Sequence, residues 1–398
     1  MKKMSKTLTR QYFDIKDARF ADKTSLENGV LSISKEELKA EVQSLMKAVK
    51  SVDFEIVKPG ENTRIIHLLD TLQPMIKIEG EGQQYSGYFS DPHMVGEGTT
   101  NLLKGFAVME SAALPWDESS ASSGLLYPRD AIIDMQGPIA DVTPFSKTIN
   151  LVIVYELEEG KSSIEYDTDI RNIGIKISTY LAAVTKDMEP DSKEDFSIDE
   201  VNPDLPNVVF VWNSQNQGPY SNTFIYGHPI DNLVPTLFHP NELMDGCVVS
   251  GNYVWPAFKV PTYLYVNSPI LLELYKEHGK TINFRGVIFG RSHNPSNWHK
   301  TRCAQIAVKI AQYLDADGLI MAWEGGGNAA VDGMLTIQCA EKHGIKASTI
   351  TFEFGGVDGT EGILLVDDVP EADAVISGGS IEKPFTIPDV DRVVGGDV

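Results

Sequence analysis

Residues 318–352 read GLIMAWEGGGNAAVDGMLTIQCAEKHGIKASTITF. Residues 318–322 are a short apolar run, as expected of a strand covered on both faces. Three glycines follow. Residues 329–343 then place apolar side chains at helical spacing, and 347–352 form a second apolar run. Strand, glycine turn, helix and strand within about 30 residues is the unit of a parallel sheet with crossover helices. The pattern extends outward through apolar runs at 208–212, 286–289 and 374–376 and a helical pattern at 299–314. Residues 207–398 are therefore expected to fold as an α/β domain with a parallel, Rossmann-like sheet.

Residues 1–185 have a different rhythm. Short strands are expected at 54–58, 63–69, 75–79 and 151–156, bounded by Gly, Pro and Asn. Helices are expected at 34–52, opened by Ser34 with Glu37 at the capping-box position, and at 170–185. This half is expected to be a mixed, strand-rich α+β domain. Residues 186–206, KDMEPDSKEDFSIDEVNPDLP, are acidic and carry three prolines, which predicts a linker between the two.

The formal net charge of −22 repels phosphate backbones and anionic lipid, so neither nucleic acid nor a membrane is an expected partner. Cys247, Cys303 and Cys339 are far apart and odd in number, with neither disulfide nor zinc spacing. Cys247 sits in the apolar run GCVVSG and is expected to be a buried structural thiol. No secretory pattern opens the chain and no window approaches a membrane span. A cytoplasmic protein is expected.

Ligands of open parallel sheets bind beyond the carboxyl ends of the strands. Here those ends run into polar or glycine-rich sequence. Glu324-Gly325-Gly326-Gly327-Asn328 is the leading site candidate. Its glycines admit a close backbone approach, and helix amides would face a substrate carboxylate. The alternative is a plain turn with Asn328 as the helix cap. Glu353 and Asp358 flank a second glycine turn, where two carboxylates can orient an amine or share a proton, or simply decorate an acidic surface. His239 and Glu242 are weak metal candidates. A helix-capping pattern around Pro240 is favoured over them, so no metal is expected.

Met244-Asp245-Gly246 followed by Val248-Val249-Ser250-Gly251-Asn252 closely resembles the processing region of a known family, the precursor subunits of component B of glycine, sarcosine and betaine reductases. The resemblance spans roughly 300 residues in shared order. It includes Leu26-Glu27-Asn28-Gly29-Val30-Leu31 as a first hairpin and GEGTTNLLKG at 96–105 as a glycine-rich turn and helix. It continues through IDMQGP at 133–138, TPFSK at 143–147, LELYKEHGKTINF at 272–284, and Glu324–Asn328 with Asp332. The resemblance implies that a cysteine after the Asn attacks the preceding carbonyl, cuts the chain and leaves a pyruvoyl group. Tyr253 stands at that position. A phenol on a rigid ring cannot reach its own preceding carbonyl through a five-membered ring. No autocleavage and no pyruvoyl cofactor are therefore expected. The chain also ends soon after Gly395-Gly396, where the family pattern continues.

The resemblance implies an oligomeric complex with a selenocysteine- or cysteine-containing subunit. It also implies reductive or thiol-dependent cleavage of a carbon–nitrogen type bond in a small carboxylate-containing substrate. Glu324, Glu353 and Asp358 are the candidate catalytic groups; Asn252, Tyr253, Gly325, Gly326, Gly327 and Asn328 are the candidate substrate contacts. Two other classes compete: a non-catalytic scaffold subunit of such a complex, and a metal-dependent lyase or hydrolase using His239 and Glu242.

Overall fold

Alternation along the strand Asn207–Ser214 sends Val209 and Val211 to one face and Phe210 and Trp212 to the other, and all four are buried. A strand buried on both faces needs cover on both. This computed structural model describes residues 6–88, 90–115, 131–216, 222–251, 259–353, 369–380, 384 and 386–396. In it, that strand lies inside a six-stranded sheet. The order is Thr236–Phe238, Asn283–Arg291, Asn207–Ser214, Gly318–Trp323, Lys346–Glu353 and Val375–Ser380. All neighbours are parallel except the first pair, which is antiparallel. The helices Asn297–Tyr313 and Asn328–Lys342 bury Ala307, Val308, Ala311, Met334, Ile337 and Ala340 in one core with Val209, Val211 and Met321. In a second core, Phe210, Trp212 and Phe289 meet Tyr265, Leu271 and Leu274, with Trp212 stacked on Tyr265 at 4.4 Å.

The first half is built from small mixed sheets. One has the order Ser192–Phe196, Leu8–Asp14, Gly98–Lys104 and Met75–Glu79; another runs Val49–Val57, Ile149–Leu157, Phe106–Ser111 and Leu68–Leu72. The helix Ser163–Ala182 packs against strands of both. Ser162 and Glu165 form a reciprocal capping box at its start. At Gly174 the helix has no Cβ, and a modest methyl there would stand 1.9 Å from the buried Glu110 carboxylate. The molecule is thus a mixed α/β structure with several sheets.

Some local expectations give way. The helix expected at 34–52 stops at Val42, and Val49–Val57 is a strand paired to Ile149–Leu157. Ser34 caps it, but the Glu37 carboxylate accepts from Thr24 N at 2.8 Å and Tyr180 Oη at 3.1 Å instead of closing a capping box. GEGTTNLLKG holds the strand Gly98–Lys104 in place of a helix, because pairing on both edges outweighs local helix propensity. The hairpin at 26–31 is present, with Asn28 and Gly29 at positive φ as its turn. Within the acidic stretch, Ser192–Phe196 pairs with Leu8–Asp14. Arg392–Val394 returns to pair with Thr63–Ile65 in the first half.

The two halves share a polar seam. Asp245, fully buried, holds Lys77 across it and accepts from Gly96 N at 2.8 Å and Thr100 Oγ1 at 2.6 Å. Arg10, 1% exposed, donates to Val266 O at 3.3 Å and Asn267 Oδ1 at 2.7 Å. Removing one member of a buried ion pair leaves the other charge uncompensated. Asp245→Ala is therefore expected to lower the unfolding free energy by about 3–5 kcal/mol in urea titrations. A change within ordinary surface-mutation scatter would mean that Lys77 is not held as described.

Candidate functional site

Ser214 ends the central strand Asn207–Ser214, and the next two strands of the sheet, Asn283–Arg291 and Gly318–Trp323, lie on opposite sides of it. The order reverses at that strand, so its carboxyl end is the crevice position of the sheet. Glu324 follows the neighbouring strand, and its carboxylate turns into this crevice. It is 2% exposed and accepts from Gln215 N at 2.9 Å, from Ser214 Oγ at 3.2 Å and from the Tyr265 hydroxyl. The Val260 amide also lies against it. Burial pushes this carboxyl up to about 7, against the pull of Tyr265, Gln215 and Lys259.

The first half presents its own buried charges to the same place. Asp70, 1% exposed, accepts from Thr262 N at 2.9 Å, from Thr262 Oγ1 and from Thr71 N at 2.8 Å. Burial raises it to about 6, against those hydrogen bonds and the Arg171 charge. Glu110, equally buried, is its cross-strand neighbour. Arg171 projects from the helix Ser163–Ala182. It pairs with Asp167 one turn earlier and donates to the Ser250 and Asn222 carbonyls, the latter at 2.9 Å. Ser250 N donates to Thr262 Oγ1 at 2.8 Å. Arg171 and Asp70 therefore anchor both flanks, Ser250 and Thr262, of the stretch that carries position 253. Lys259 lies between those anchors, 4% exposed. Burial lowers its ammonium to about 7 and the Arg171 charge acts in the same direction, while Glu324, Asp167 and Asp70 oppose.

The expected site residues separate accordingly. Glu324 is central. Gly325 is buried at φ +87°, and a Cβ there would stand 2.7 Å from the Gln215 amide, so only glycine fits. Gly327, not Asn328, is the helix N-cap; both are exposed, and the Asn328 carbonyl accepts from Lys300 Nζ at 2.9 Å. Gly326 O accepts from Ala329 N at 3.2 Å, within the same turn. Lys300 also holds buried Asp332 at 2.6 Å, so the helix start is already braced from within. Asn252, Tyr253 and Asp358 lie outside the described residues, and of Glu353 only the strand-ending backbone is described. His239 and Glu242 cap the short helix Pro240–Met244. His239 Nδ1 accepts from Asn241 N at 3.2 Å, Glu242 Oε1 accepts from His239 N at 2.9 Å, and Tyr226 donates to Glu242 Oε2 at 2.6 Å. Burial lowers the His239 imidazole to about 4. Among the described residues no group of three or more His, Cys, Asp or Glu is placed to hold a metal. Cys247 is buried, and burial pushes its thiol well up, as an inert structural cysteine requires. Among the described residues no helix is long and apolar enough to cross a membrane.

Sequence reasoning missed Asp70, Asp167, Arg171, Lys259, Thr262 and Tyr265. The signal available was weak: single charges inside apolar runs, as in IIHLLDTL and RNIGIKI.

Residues 6–398 match the family model of the glycine/sarcosine/betaine reductase component B subunits. The chain belongs to this family. It is 38% identical to the glycine reductase complex component B subunits alpha and beta of Acetoanaerobium sticklandii, covering 96% of this chain and 87% of that protein. The protein of the same name from Peptoclostridium acidaminophilum is 35% identical over the same shares. The sarcosine reductase complex component B subunit alpha of that organism is also 35% identical, again covering 96% and 87%. No solved structure matches. Membership makes the chain a reductase-complex component, and the proteins it resembles are subunits of heteromeric enzymes.

In this component B subunit, Glu324 binds its proton more tightly when folded than when unfolded. The stability this gives is fully present below its ordinary value of 4.5 and is lost as the pH rises to about 7. Urea titrations are expected to show a loss on the order of 3 kcal/mol from this group over that window, and Glu324→Gln should flatten it. Identical slopes for the two proteins would mean that the carboxyl is not held protonated at the seam.

Proposed function

We propose that this chain is an unprocessed, pyruvoyl-free subunit of a glycine-reductase-like complex. It works with a partner subunit bearing a cysteine thiol or a selenol. The pair cleaves a carbon–nitrogen type bond of a small carboxylate-containing substrate. The observation that carries this reading is the buried Glu324 carboxyl against the Val260 amide, between the anchored flanks Ser250 and Thr262. The family and its heteromeric relatives support the scaffold and the partner. The phenol at 253 supports the missing carbonyl, since its geometry forbids the acyl shift that would make one.

In this mechanism the partner's thiolate attacks the substrate carbon. The carbon–sulfur bond forms as the carbon–nitrogen bond breaks, and the electron pair leaves on nitrogen. Glu324, raised to about 7 by burial, is poised between its two protonation states at neutral pH and delivers the proton that nitrogen takes. Tyr265, Ser214 and the Gln215 amide hold the carboxyl in place. Gly325 and its neighbours form the turn against which the substrate carboxylate is placed.

Two measurements test this. Intact mass of the purified protein is expected at the full-length value near 43.8 kDa, whereas a ketoacyl-capped fragment starting at 253 contradicts the unprocessed state. With the partner subunit present, Glu324→Gln is expected to lower kcat by about 10²–10⁴. A chain that co-purifies with its partner but shows no ligand-dependent thermal shift with small amino or carboxylic acids is a scaffold, and the catalytic reading falls.

A further inference from the structure

The helix Ser163–Ala182 carries Arg171 to the seam, and further along it Lys176 and Thr179 line a cavity of about 330 Å³. Small-molecule sites run from about 300 to 1,000 Å³, so this one suits a small ligand. Its other walls come from the end of the helix Lys35–Val42 with the turn Gln43–Leu45, and from the loop after the strand Met75–Glu79. It shares no residue with the Glu324 crevice. Gln84, which is buried, ties two walls together. Its Oε1 accepts from Lys77 N at 2.8 Å, and its Nε2 donates to Thr179 Oγ1 at 3.2 Å. Tyr85 is buried at φ +55°, a left-handed backbone that a bulky residue rarely adopts, and its hydroxyl donates to Gln73 O at 2.9 Å. Such a backbone persists only where its surroundings over-determine it, so this wall is set before anything binds. Across from it, Lys176 Nζ meets Glu41 Oε2 at 2.9 Å, with both side chains partly exposed. An exposed ion pair contributes only about 0–1 kcal/mol, so a ligand can part it at little cost.

We propose that this cavity is a second small-molecule site, separate from the Glu324 crevice, and that it takes a small zwitterion of the α-amino acid class. The ligand carboxylate sits on Lys176 and its ammonium on Glu41. Charge balance selects this class. The cavity offers one cation and one anion, already paired. An anionic ligand on Lys176 leaves Glu41 uncompensated and adds to a chain already at −22. A cationic ligand on Glu41 leaves Lys176 uncompensated. A zwitterion replaces one ion pair by two and strands no charge, each new contact being a charge-assisted hydrogen bond. The half-buried Leu45 side chain gives the ligand's aliphatic part an apolar surface, and the Ser44 hydroxyl and Gln83 amide supply further hydrogen-bonding groups. The preset Gln84–Tyr85 wall reduces what must be ordered on binding. A ligand here joins the helix Lys35–Val42 to the helix that positions Arg171.

The experiment is calorimetric titration of the full-length protein, without a partner subunit, with glycine, L-leucine and L-methionine as probes. Leucinamide, which lacks the carboxylate, and N-acetyl-leucine, which lacks the ammonium, are the controls. Saturable binding of at least one amino acid is expected, and for leucine each control should bind about 10–100-fold more weakly. Lys176→Met and Glu41→Gln, both at partly exposed positions, should each weaken the amino acid by a similar factor while leaving the fold intact. Hydrogen exchange with the ligand bound should slow at residues 41–45 and 83–88. No saturation with any of the three probes overturns the proposal, as does equal binding of leucine and its two blocked forms. Slowing at residues 324–328 alone, with binding unchanged in both variants, places the ligand in the Glu324 crevice and also overturns it. Neither turnover nor a partner enters the measurement, so its outcome and that of the proposed cleavage reaction are read separately.

Discussion

The Arg171 guanidinium is enclosed by protein and must spend its donors inside it. A buried cation without partners costs several kcal/mol, so the positions of its acceptors are not negotiable. One acceptor, Asp167, is on its own helix; the others are the Ser250 and Asn222 carbonyls of the second half. Asp70 imposes the matching demand from the neighbouring strand, through the Thr262 amide and hydroxyl. These two charges fix where the stretch around position 253 enters and leaves, and with it how the halves meet.

The parallel sheet supplies the other wall. Its order reverses at Asn207–Ser214, and Glu324 is delivered to that point by the adjacent strand. Neither half alone brings these groups together. The first half holds carboxylates and a guanidinium around a helix, and the second holds a hydrogen-bonded carboxyl at the carboxyl end of an interior strand. Brought together, they enclose Lys259 and give both it and Glu324 proton affinities near neutrality.

Much of the architecture was legible. Residues 318–352 predicted strand, glycine turn, helix and strand, and the structure has Gly318–Trp323, Asn328–Lys342 and Lys346–Glu353. Such runs speak clearly because both sheet faces are covered and the apolar signal is continuous. Residues 49–52 and Gly98–Lys104 were misread, since strands in small mixed sheets owe their state to partners distant in sequence, whereas the strand expected at 54–58 is present as the end of Val49–Val57. Glu324 was legible from its place at a strand tip before three glycines. Asp70, Arg171 and Lys259 were not, because a lone charge in an apolar run says nothing about which groups will meet it.

By itself the sequence determined the alternation of strands and helices, the glycine turn after Trp323, the acidic character of the chain, and the tyrosine that follows Asn252. These are local facts, written in spacing and side-chain chemistry. Only the tertiary structure decided that Asp70, Arg171, Lys259 and Glu324, drawn from sites spread over more than half the chain, share one buried seam. The physical reason is that proton affinity depends on desolvation and on neighbouring charge, and both exist only once the two halves have closed on each other.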